Sequence, residues 1–467
     1  MSNMQTYNKI QSDFTVGNIP RKLLSFSIPF MLSNVMQLTY SLVDLLVVGR
    51  HVGTSGISAV NNAAQIVLFC TMFCLGFCTG GQVLISQLVG AKRHDQLSGT
   101  IGTIFTTILA MGGAFTLIIL LLRNTVIRLI AIPIESKEMA FCYLTICGGG
   151  LLLSFGYNMV SAVLRGMGDS KRPFLFILIA SVVNLALDIL FTAVLGWGVA
   201  GAAAATVIGQ GVSFLFAAQF LYRRREQFGF SFHLKDFIPN WSTLKVLASL
   251  GIPYAIQSCA VNISTLYVNR LVNLVDVSAA AAFGVGVKLD DIASKLTQGI
   301  MYAVSPMVGQ NIGARKPERA AKTVWWALLF STCLYIIFTV IYLSCSRQLF
   351  GIFDKSKEVQ ALAPVFVSAV VWGFPAMAIM RATGGFIQGM GCAKMSMILG
   401  MLDGVFCRML LSYVLGIVLN LGFYGFVLGF SCASYVYAIP SFFYFLRGKW
   451  KKRKILIPET SNTPSNI

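Results

Sequence analysis

Twelve long apolar stretches run through the sequence, and each is long enough to cross a lipid bilayer as a helix. Such a span needs about 20 apolar residues. Only 11% of the chain is charged, whereas a soluble domain carries roughly 25% charged residues. The chain is therefore predicted to be an all-α polytopic membrane protein rather than a disordered chain, a disulfide scaffold or a nucleic-acid-binding domain. The predicted spans are 23–48, 57–89, 99–122, 139–164, 173–196, 199–221, 246–270, 282–312, 321–345, 360–388, 396–419 and 424–446.

The basic residues predict how these spans are oriented. The chain has 36 Lys and Arg against 17 Asp and Glu, and cytoplasmic loops of membrane proteins carry the excess of bases. With the amino terminus inside, 24 bases fall in cytoplasmic segments and 8 in external ones. We therefore expect a multi-pass protein of the plasma membrane with both termini in the cytoplasm. Basic runs at 223–225 and 449–454 directly follow spans, which is typical of contact with anionic lipid rather than with nucleic acid.

An internal duplication divides the chain into halves. Residues 86–101 (SQLVGAKRHDQLSGTI) align with residues 309–324 (GQNIGARKPERAAKTV) at an offset of 223, and the Gly-Met-Gly sequence at 166–168 returns at 389–391. Six spans in each half give both the same orientation, so we predict two six-helix lobes related by a parallel repeat, as in alternating-access transporters. The predicted divisions are an amino-terminal lobe with the cation site (1–221), a cytoplasmic linker (222–245), a carboxy-terminal lobe (246–446) and a basic cytoplasmic tail (447–467).

Polar residues in the first half break this repeat. Asp44 and Asp188 lie inside predicted spans, and their repeat partners are Tyr267 and Leu411. An aspartate at the centre of a span costs ~2.5–3.5 kcal/mol, and it persists where it faces a polar cavity and exchanges a proton or a cation. We therefore predict a cation-coupling site here; the alternative is that Asp44 lies at the outer interface and Asp188 is only hydrogen-bonded. The predicted site consists of Asp44, Asn184, Asp188 and Thr206.

The second half carries charges of its own inside its predicted spans. Some are three or four residues apart on one helix, where local ion pairs explain them. A substrate or counter-ion role is the alternative. These residues are Lys288, Asp290, Asp291, Lys295, Arg381, Asp403 and Arg408.

The cysteines and histidines do not indicate a metal site. Cys70, Cys74 and Cys78 recur on one helical face, a spacing that suits a soft metal as well as the packing of small apolar residues, and packing is the favoured interpretation. The three histidines all fall near loops. We predict no metal or other cofactor, apart from the coupling ion.

Several of these motifs together resemble a known transporter family. The sequences NLALD (184–188) and GWGVAGAAAAT (196–206) closely resemble the fifth and sixth helices of multidrug and toxic compound extrusion (MATE) transporters. Further similarity lies in LRGMGD (164–169), in VD and VGR (43–44 and 48–50), and in the paired VGA and IGA loops (89–91 and 312–314). The resemblance covers about residues 20–446.

The resemblance implies a twelve-helix, two-lobe exporter driven by a proton or sodium gradient. Carried over position by position, it assigns ion coupling to the four residues named above. It adds Gln37, Tyr40 and Asn158 as a supporting polar network. Because 246–270 contains no Asp or Glu, the chain looks like the prokaryotic branch whose acidic pair lies in the amino-terminal lobe.

The sequence thus predicts an H⁺- or Na⁺-coupled antiporter that exports small organic cations or drugs across the plasma membrane. We expect it to act as a monomer, to contact membrane lipid and to bind no nucleic acid. One alternative is a related flippase or exporter of lipid-linked or metabolite substrates. A membrane enzyme would need acidic, His or Cys ligands clustered at a membrane face, so we expect no enzyme. A major-facilitator carrier shares the six-plus-six arrangement, but its usual charged loop after the second span is replaced here by residues 90–95.

Overall fold

The computed structural model describes residues 12–130, 132–228, 233–273, 275–453 and 455–456. Within them, every long element is a helix, and each of the twelve predicted spans corresponds to one of them. Their bounds are α1 Ile19–Val52, α2 Thr54–Gly90, α3 His94–Leu129, α4 Ile134–Gly149 with Leu151–Gly166, α5 Lys171–Val194, α6 Gly198–Arg223, α7 Trp241–Asn273, α8 Val277–Gly313, α9 Pro317–Phe353, α10 Lys357–Gly389, α11 Ala393–Val418 and α12 Gly422–Leu446.

Length and apolarity make most of these helices capable of crossing a membrane. Within the described residues, nine helices meet both conditions, and ten do so when the halves of α4, bent by 45° at Gly150, are taken as one span. The remaining two, α7 and α8, are just as long. In the middle of α8, four charged residues interrupt the apolar sequence: Lys288, Asp290, Asp291 and Lys295.

The internal repeat is visible in the backbone as well as in the sequence. Lys92 and Arg315, at the repeat offset, turn the chain after α2 and α8 with φ of 57° and 56°. The Gly168 and Gly391 pair has φ of 89° and 69°, a left-handed conformation that glycine adopts without a Cβ clash. Equal backbone turns at equal positions confirm the parallel repeat of the two lobes.

The first helix of each lobe packs partly in the other lobe. Leu23, near the start of α1, belongs to a core with α8–α12, whereas Val48, near its end, packs with α2–α6. Conversely, Leu250 near the start of α7 packs with α2–α6, and Val268 near its end packs with α8–α12. Helices α1 and α7 therefore tie the lobes together by an exchange that follows the repeat.

The lobes meet tightly at one end of the bundle. We call this end the closed face; it is formed by the last turns of α2, α4, α8 and α10, at Gly90, Gly166, Gly313 and Gly389. Residues 80–88 of α2 and 303–313 of α8 are all buried there. Toward the opposite end, Lys295 near the middle of α8 is exposed. Because a charged side chain in mid-membrane is costly against lipid, its exposure indicates a polar cleft between the lobes.

Candidate functional site

Two buried aspartates from helices α1 and α5 meet in the amino-terminal lobe. Asp44 is 8% exposed and Asp188 only 1% exposed, and their carboxyl groups lie within hydrogen-bonding reach of each other. Within the described residues, one oxygen of each group, Asp44 Oδ1 and Asp188 Oδ1, has no hydrogen-bond partner. Two ionised carboxylates in such contact repel each other, so the arrangement needs a proton or a cation between them.

Asn184 joins this pair to helix α6. It lies one turn before Asp188 on α5. Its amide is assigned the orientation that satisfies both neighbours, in which Nδ2 donates to Asp188 Oδ2 at 3.3 Å and Oδ1 accepts from the Thr206 backbone N–H at 3.2 Å. The close approach of α5 and α6 depends on Gly209, where a Cβ atom would lie 3.1 Å from Asn184 Cβ. Thr206 Oγ1 is buried and has no hydrogen-bond partner among the described residues. The structure thus brings all four predicted coupling residues together.

Helix α5 changes its winding directly after the acidic residue. Residues Ile189–Val194 form a π-helical turn, which is wider than an α-helical turn and occurs frequently at functional sites. In the carboxy-terminal lobe, α11 has π-helical turns over Leu402–Cys407 and Val414–Val418. The corresponding helix of each lobe therefore has an irregular winding in its second half.

The supporting residues predicted around the acidic pair differ in their placement. Tyr40, one turn before Asp44, lies within electrostatic range of both carboxyls. Gln37 is exposed, and the Asn158 amide donates to Ser154 O in its own helix at 2.9 Å. Helix α4 instead supplies Tyr143 and Cys147, which are buried and within electrostatic range of Asp44. These last two could not be identified from the sequence, because neutral residues on a membrane helix look like ordinary packing residues.

The charges predicted in the carboxy-terminal lobe separate into two groups. Lys288, Asp291 and Lys295 are exposed, and within the described residues no ion pair of 4 Å or less joins them. The local ion pairs expected from their spacing are therefore not formed at contact distance, although Asp291 lies in the electrostatic range of Lys295. The second group is buried: Asp290, Arg381, Asp403 and Arg408.

The buried group is a network of two arginines and two aspartates. Arg408 donates to Asp403 Oδ1 at 3.3 Å, and its guanidinium lies 4.4 Å from the centre of the Phe430 ring. Arg381 donates to hydroxyl groups instead, to Thr297 Oγ1 at 3.2 Å and to Ser294 Oγ at 2.5 Å. Neither hydroxyl was foreseen from the sequence.

That network is also incompletely satisfied. In the part of the chain that the structure describes, Asp290 Oδ1 and Arg408 Nε have no hydrogen-bond partner. Because an unsatisfied buried polar atom is costly, these two atoms mark a position where a further polar group would be stabilising.

The three cysteines on α2 are arranged for packing. Cys70, Cys74 and Cys78 are buried, and the last two sulfur atoms are 3.7 Å apart. Their neighbours belong to the amino-lobe core. Across the described residues, no group of three or more His, Cys, Asp or Glu side chains could hold a metal ion.

Comparison with known proteins agrees with this geometry. A family model described as MatE matches residues 29–190 and 253–420, one block in each lobe. The chain belongs to the MatE family. The resemblance seen in the sequence is confirmed, and this MatE protein is a multi-pass membrane transporter, not an enzyme.

Similar proteins with names that describe transport support the assignment, and two of them do so over nearly the whole length of the chain. One is a probable multidrug resistance protein, YpnP, of Bacillus subtilis, 27% identical over 449 residues that cover 95% of this chain and 98% of that protein. Another is a probable multidrug resistance protein, NorM, of Thermotoga maritima, with 23% identity and coverage of 95% and 96%. An FAD transporter of Shewanella oneidensis is 26% identical over 339 residues, covering 68% of this chain and 72% of its own.

Solved structures show the same fold. A MATE family transporter in an outward-facing conformation superposes with a TM-score of 0.89 at 21% identity and covers 96% of this chain and 100% of its own. A MATE protein in a straight conformation gives 0.89, also at 21% identity, with coverage of 94% and 99%. The prediction of twelve helices in two lobes is confirmed.

Proposed function

We propose that this MatE protein is an H⁺- or Na⁺-coupled antiporter that exports small organic cations and drugs by alternating access. The observation that carries the proposal is the contact between Asp44 and Asp188, two buried carboxyls that each keep one oxygen unpartnered among the described residues. The multidrug resistance names of its relatives support drugs as cargo.

The acidic pair suits either coupling ion. A proton held between the carboxyls removes the repulsion of two negative charges. Sodium is a hard cation that prefers oxygen ligands, and the free oxygens of Asp44, Asp188 and Thr206 are of that kind. Ion binding changes the attraction between α1, α5 and α6, which carry these groups, and the altered packing releases the bound cargo on the outer side.

The available energy is sufficient for such a cycle. A monovalent cargo exchanged for one monovalent ion moves no net charge, so the concentration gradient of the ion drives the cycle. A gradient equivalent to 100 mV releases ~2.3 kcal/mol per ion, which corresponds to about a fiftyfold bias in an equilibrium. The ion gradient can drive cargo export only if ion binding weakens cargo binding, and cargo must then weaken ion binding by the same factor.

The distribution of bases supports an orientation with the closed face and both termini in the cytoplasm. The polar cleft then opens to the outside. The protein acts as a monomer in the plasma membrane, with its basic cytoplasmic segments against anionic lipid.

A second candidate, export of an anionic metabolite, is favoured by one observation. Arg381 is buried, and the groups that accept its hydrogen bonds are the hydroxyls of Thr297 and Ser294. A guanidinium held in this way can bind a carboxylate or phosphate. One relative is named an FAD transporter, and FAD is an anion.

Transport by proteoliposomes with imposed gradients tests both candidates. We expect a fluorescent organic cation to be concentrated against its gradient when H⁺ or Na⁺ is supplied on the opposite side, and the effect to vanish when that gradient is collapsed. If an anionic flavin nucleotide is concentrated instead, and Arg381→Gln abolishes this, the second candidate replaces the first. Cation transport that persists without any ion gradient contradicts the antiport mechanism.

A further inference from the structure

Two glutamines hold the lobes together at the closed face. Gln87 on α2 and Gln310 on α8 occupy equivalent positions of the repeat and are both buried. Gln87 Nε2 donates to Gly389 O at 3.0 Å, and Gln310 Nε2 donates to Gly166 O at 3.3 Å. Each bond crosses from one lobe to the other, and the two acceptor glycines are themselves repeat partners. The closed face is thus joined by a symmetric pair of amide–carbonyl hydrogen bonds.

The backbones beside these bonds are in direct contact. A Cβ atom on Gly90 would lie 2.0 Å from Gln310 O, and one on Gly313 would lie 2.1 Å from Gln87 O. A real Cβ cannot come so close to a backbone oxygen, so only glycine permits the contact. The two lobes therefore touch backbone to backbone at these positions.

Each glutamine also accepts a hydrogen bond from a segment near one end of the chain. Gln310 Oε1 accepts from the Phe14 N–H at 3.0 Å, before α1 begins. Gln87 Oε1 accepts from the Leu456 N–H at 3.0 Å, after α12 ends. We call residues 12–17 the amino latch, and residues 449–453 with 455–456 the carboxy latch. The symmetry of the closed face therefore extends to both latches.

The polar side chains that hold the two latches come mainly from the carboxy-terminal lobe, although Ser12 also lies against Gly168 and Leu456 packs against the amino-lobe core. In the amino latch, Arg319 Nε donates to Phe14 O at 2.8 Å and Lys316 Nζ to Thr15 O at 2.9 Å. The Phe14 ring is buried, 4.8 Å from that of Phe26.

The carboxy latch follows α12, and two of its basic side chains contact the carboxy-terminal lobe. Lys451 forms an ion pair with Glu318 of α9 at 2.8 Å, and Arg453 contacts the Cys392 sulfur atom at 2.6 Å. Separation of the lobes therefore leaves both latches on the carboxy-terminal lobe.

We propose that the glutamine pair and the two latches together form the gate that keeps this face shut, and that the two glutamines contribute unequally to it. The proposal rests on alternating access, the proposed function. When the lobes part, Gln87 loses both of its bonds, because Gly389 and Leu456 both belong to the other side. Gln310 loses only its bond to Gly166, because Phe14 remains on the same side.

This asymmetry predicts the size of the effects. One net hydrogen bond corresponds to about a fivefold shift in population. Gln87→Leu should therefore favour the open gate by about thirtyfold, whereas Gln310→Leu should favour it by about fivefold. Leu456→Pro removes the latch N–H without altering the helix bundle, and it should also give about fivefold.

The labelling rate of a buried reporter cysteine measures gate opening. Ser86 on α2 is fully buried and faces Gly309 across the closed face. We would place Ser86→Cys in the full chain with every native cysteine changed to serine, so that residue 392 still offers an acceptor to Arg453. The protein would be in liposomes, and we would follow the reaction of the reporter with a membrane-permeant maleimide. Gln257→Leu is the matched control, because Gln257 accepts from Ser396 Oγ, a bond between α7 and α11 away from the gate. Ser305→Cys on α8, buried as well, serves as a second reporter.

The expected order of labelling rates is Gln87→Leu, then Gln310→Leu and Leu456→Pro together, then the control and the parent protein. Rates for all three variants equal to that of Gln257→Leu would overturn the gate. Equal rates for the two glutamine variants would overturn the asymmetry. Labelling requires neither cargo nor an ion gradient, so its outcome is independent of whether the protein couples export to an ion. If Gln87→Leu fails to fold, Leu456→Pro still decides whether the carboxy latch acts.

Discussion

Asp44 and Asp188 lie on helices that are far apart in the chain, yet their carboxyl groups are within hydrogen-bonding reach, one oxygen of each unpartnered among the described residues. The contact brings α1 against α5, and α1 is also the helix whose first half packs in the carboxy-terminal lobe. A change in the charge of the pair therefore acts on a helix that contacts both lobes. This relationship connects ion binding to the arrangement of the lobes.

Neutralising one member of the pair should remove ion coupling. Asp188→Asn keeps the size of the side chain and its bond to Asn184 but cannot exchange a proton. We expect the concentration ratio of an organic cation in proteoliposomes, under an H⁺ or Na⁺ concentration gradient equivalent to 100 mV, to fall from about fiftyfold towards one. Asp291→Asn, which alters an exposed carboxylate of α8, is the control and should keep the ratio. Continued concentration of cargo by Asp188→Asn would contradict the site.

Asp403 should matter for stability rather than for coupling. It accepts a hydrogen bond from Arg408 in a buried ion pair, and removal of one partner of such a pair costs about 3–5 kcal/mol because the other charge stays buried. We expect Asp403→Asn to lower the thermal unfolding temperature while ion-driven efflux by the folded fraction is largely intact. The double variant Asp403→Asn with Arg408→Gln should recover part of the loss. If Asp403→Asn abolished ion coupling while Asp188→Asn retained it, the ion site would lie in the carboxy-terminal lobe and the assignment would be wrong.

A methyl group at the closed face should prevent closure. In Gly90→Ala the added Cβ would lie 2.0 Å from Gln310 O, so the lobes cannot meet as they do here. We expect transport to fall at least tenfold and the labelling of Ser86→Cys to rise. Gly99→Ala on α3 is the matched control, because nothing lies within 4 Å of its Cβ position. Equal behaviour of the two variants would show that the glycine contact is not needed for closure.

The helices and the acidic pair could be predicted from the sequence for a simple physical reason. Apolar stretches of membrane length are stable only as helices in lipid, and a charged residue within one is conspicuous because it is costly. Asp44 and Asp188 were found in this way, and Asn184 and Thr206 were found beside them as polar residues that break the internal repeat. Tyr143 and Cys147 were missed, since a neutral residue in a membrane helix gives no such contrast.

The gate could not be predicted from the sequence, although its two glutamines lie in the aligned repeat segments. Gln87 and Gln310 belong to the aligned repeat segments, but their bonds end on backbone carbonyls of the opposite lobe. Those bonds depend on how closely the lobes approach at Gly90 and Gly313, a tertiary property. The latches are short segments of turns, with one 3₁₀-helical turn at Lys449–Lys452, and such segments leave no periodic pattern of side chains.

The orientation of the protein can be tested with two exposed lysines. Lys235, in the linker before α7, and Lys357, at the start of α10, are both accessible and are predicted to lie in the cytoplasm and outside, respectively. Single cysteines at these positions, in a chain lacking native cysteines, should react with an impermeant maleimide from opposite sides of intact cells. Reaction of both from the same side would contradict the proposed topology.

The pH dependence of gate opening should come from the acidic pair and not from the amino latch. At Asp13, burial by itself would raise the carboxyl pKa, but hydrogen bonds from Thr15 and the charges of Lys22 and Lys316 outweigh it and hold the pKa below its usual value. A carboxyl whose pKa is lowered by folding makes its full contribution to the stability of the folded protein at any pH above the pKa of the free carboxyl, about 3.9. That contribution is lost only as the pH falls through the still lower folded value. Asp13 therefore stays ionised between about pH 5 and 8.

A measurement across that range separates the two sources. We would follow Ser86→Cys labelling in the absence of cargo, normalised to the labelling of the unfolded chain at each pH because thiolate reactivity itself rises with pH. Because the Asp44 and Asp188 carboxyls need a proton or a cation between them, the normalised rate should change with pH in the parent protein and in Asp13→Asn. It should be flat when Asp44→Asn and Asp188→Asn are combined. A flat profile in Asp13→Asn, together with an unchanged profile in the double variant, would assign the pH response to the amino latch and contradict this prediction.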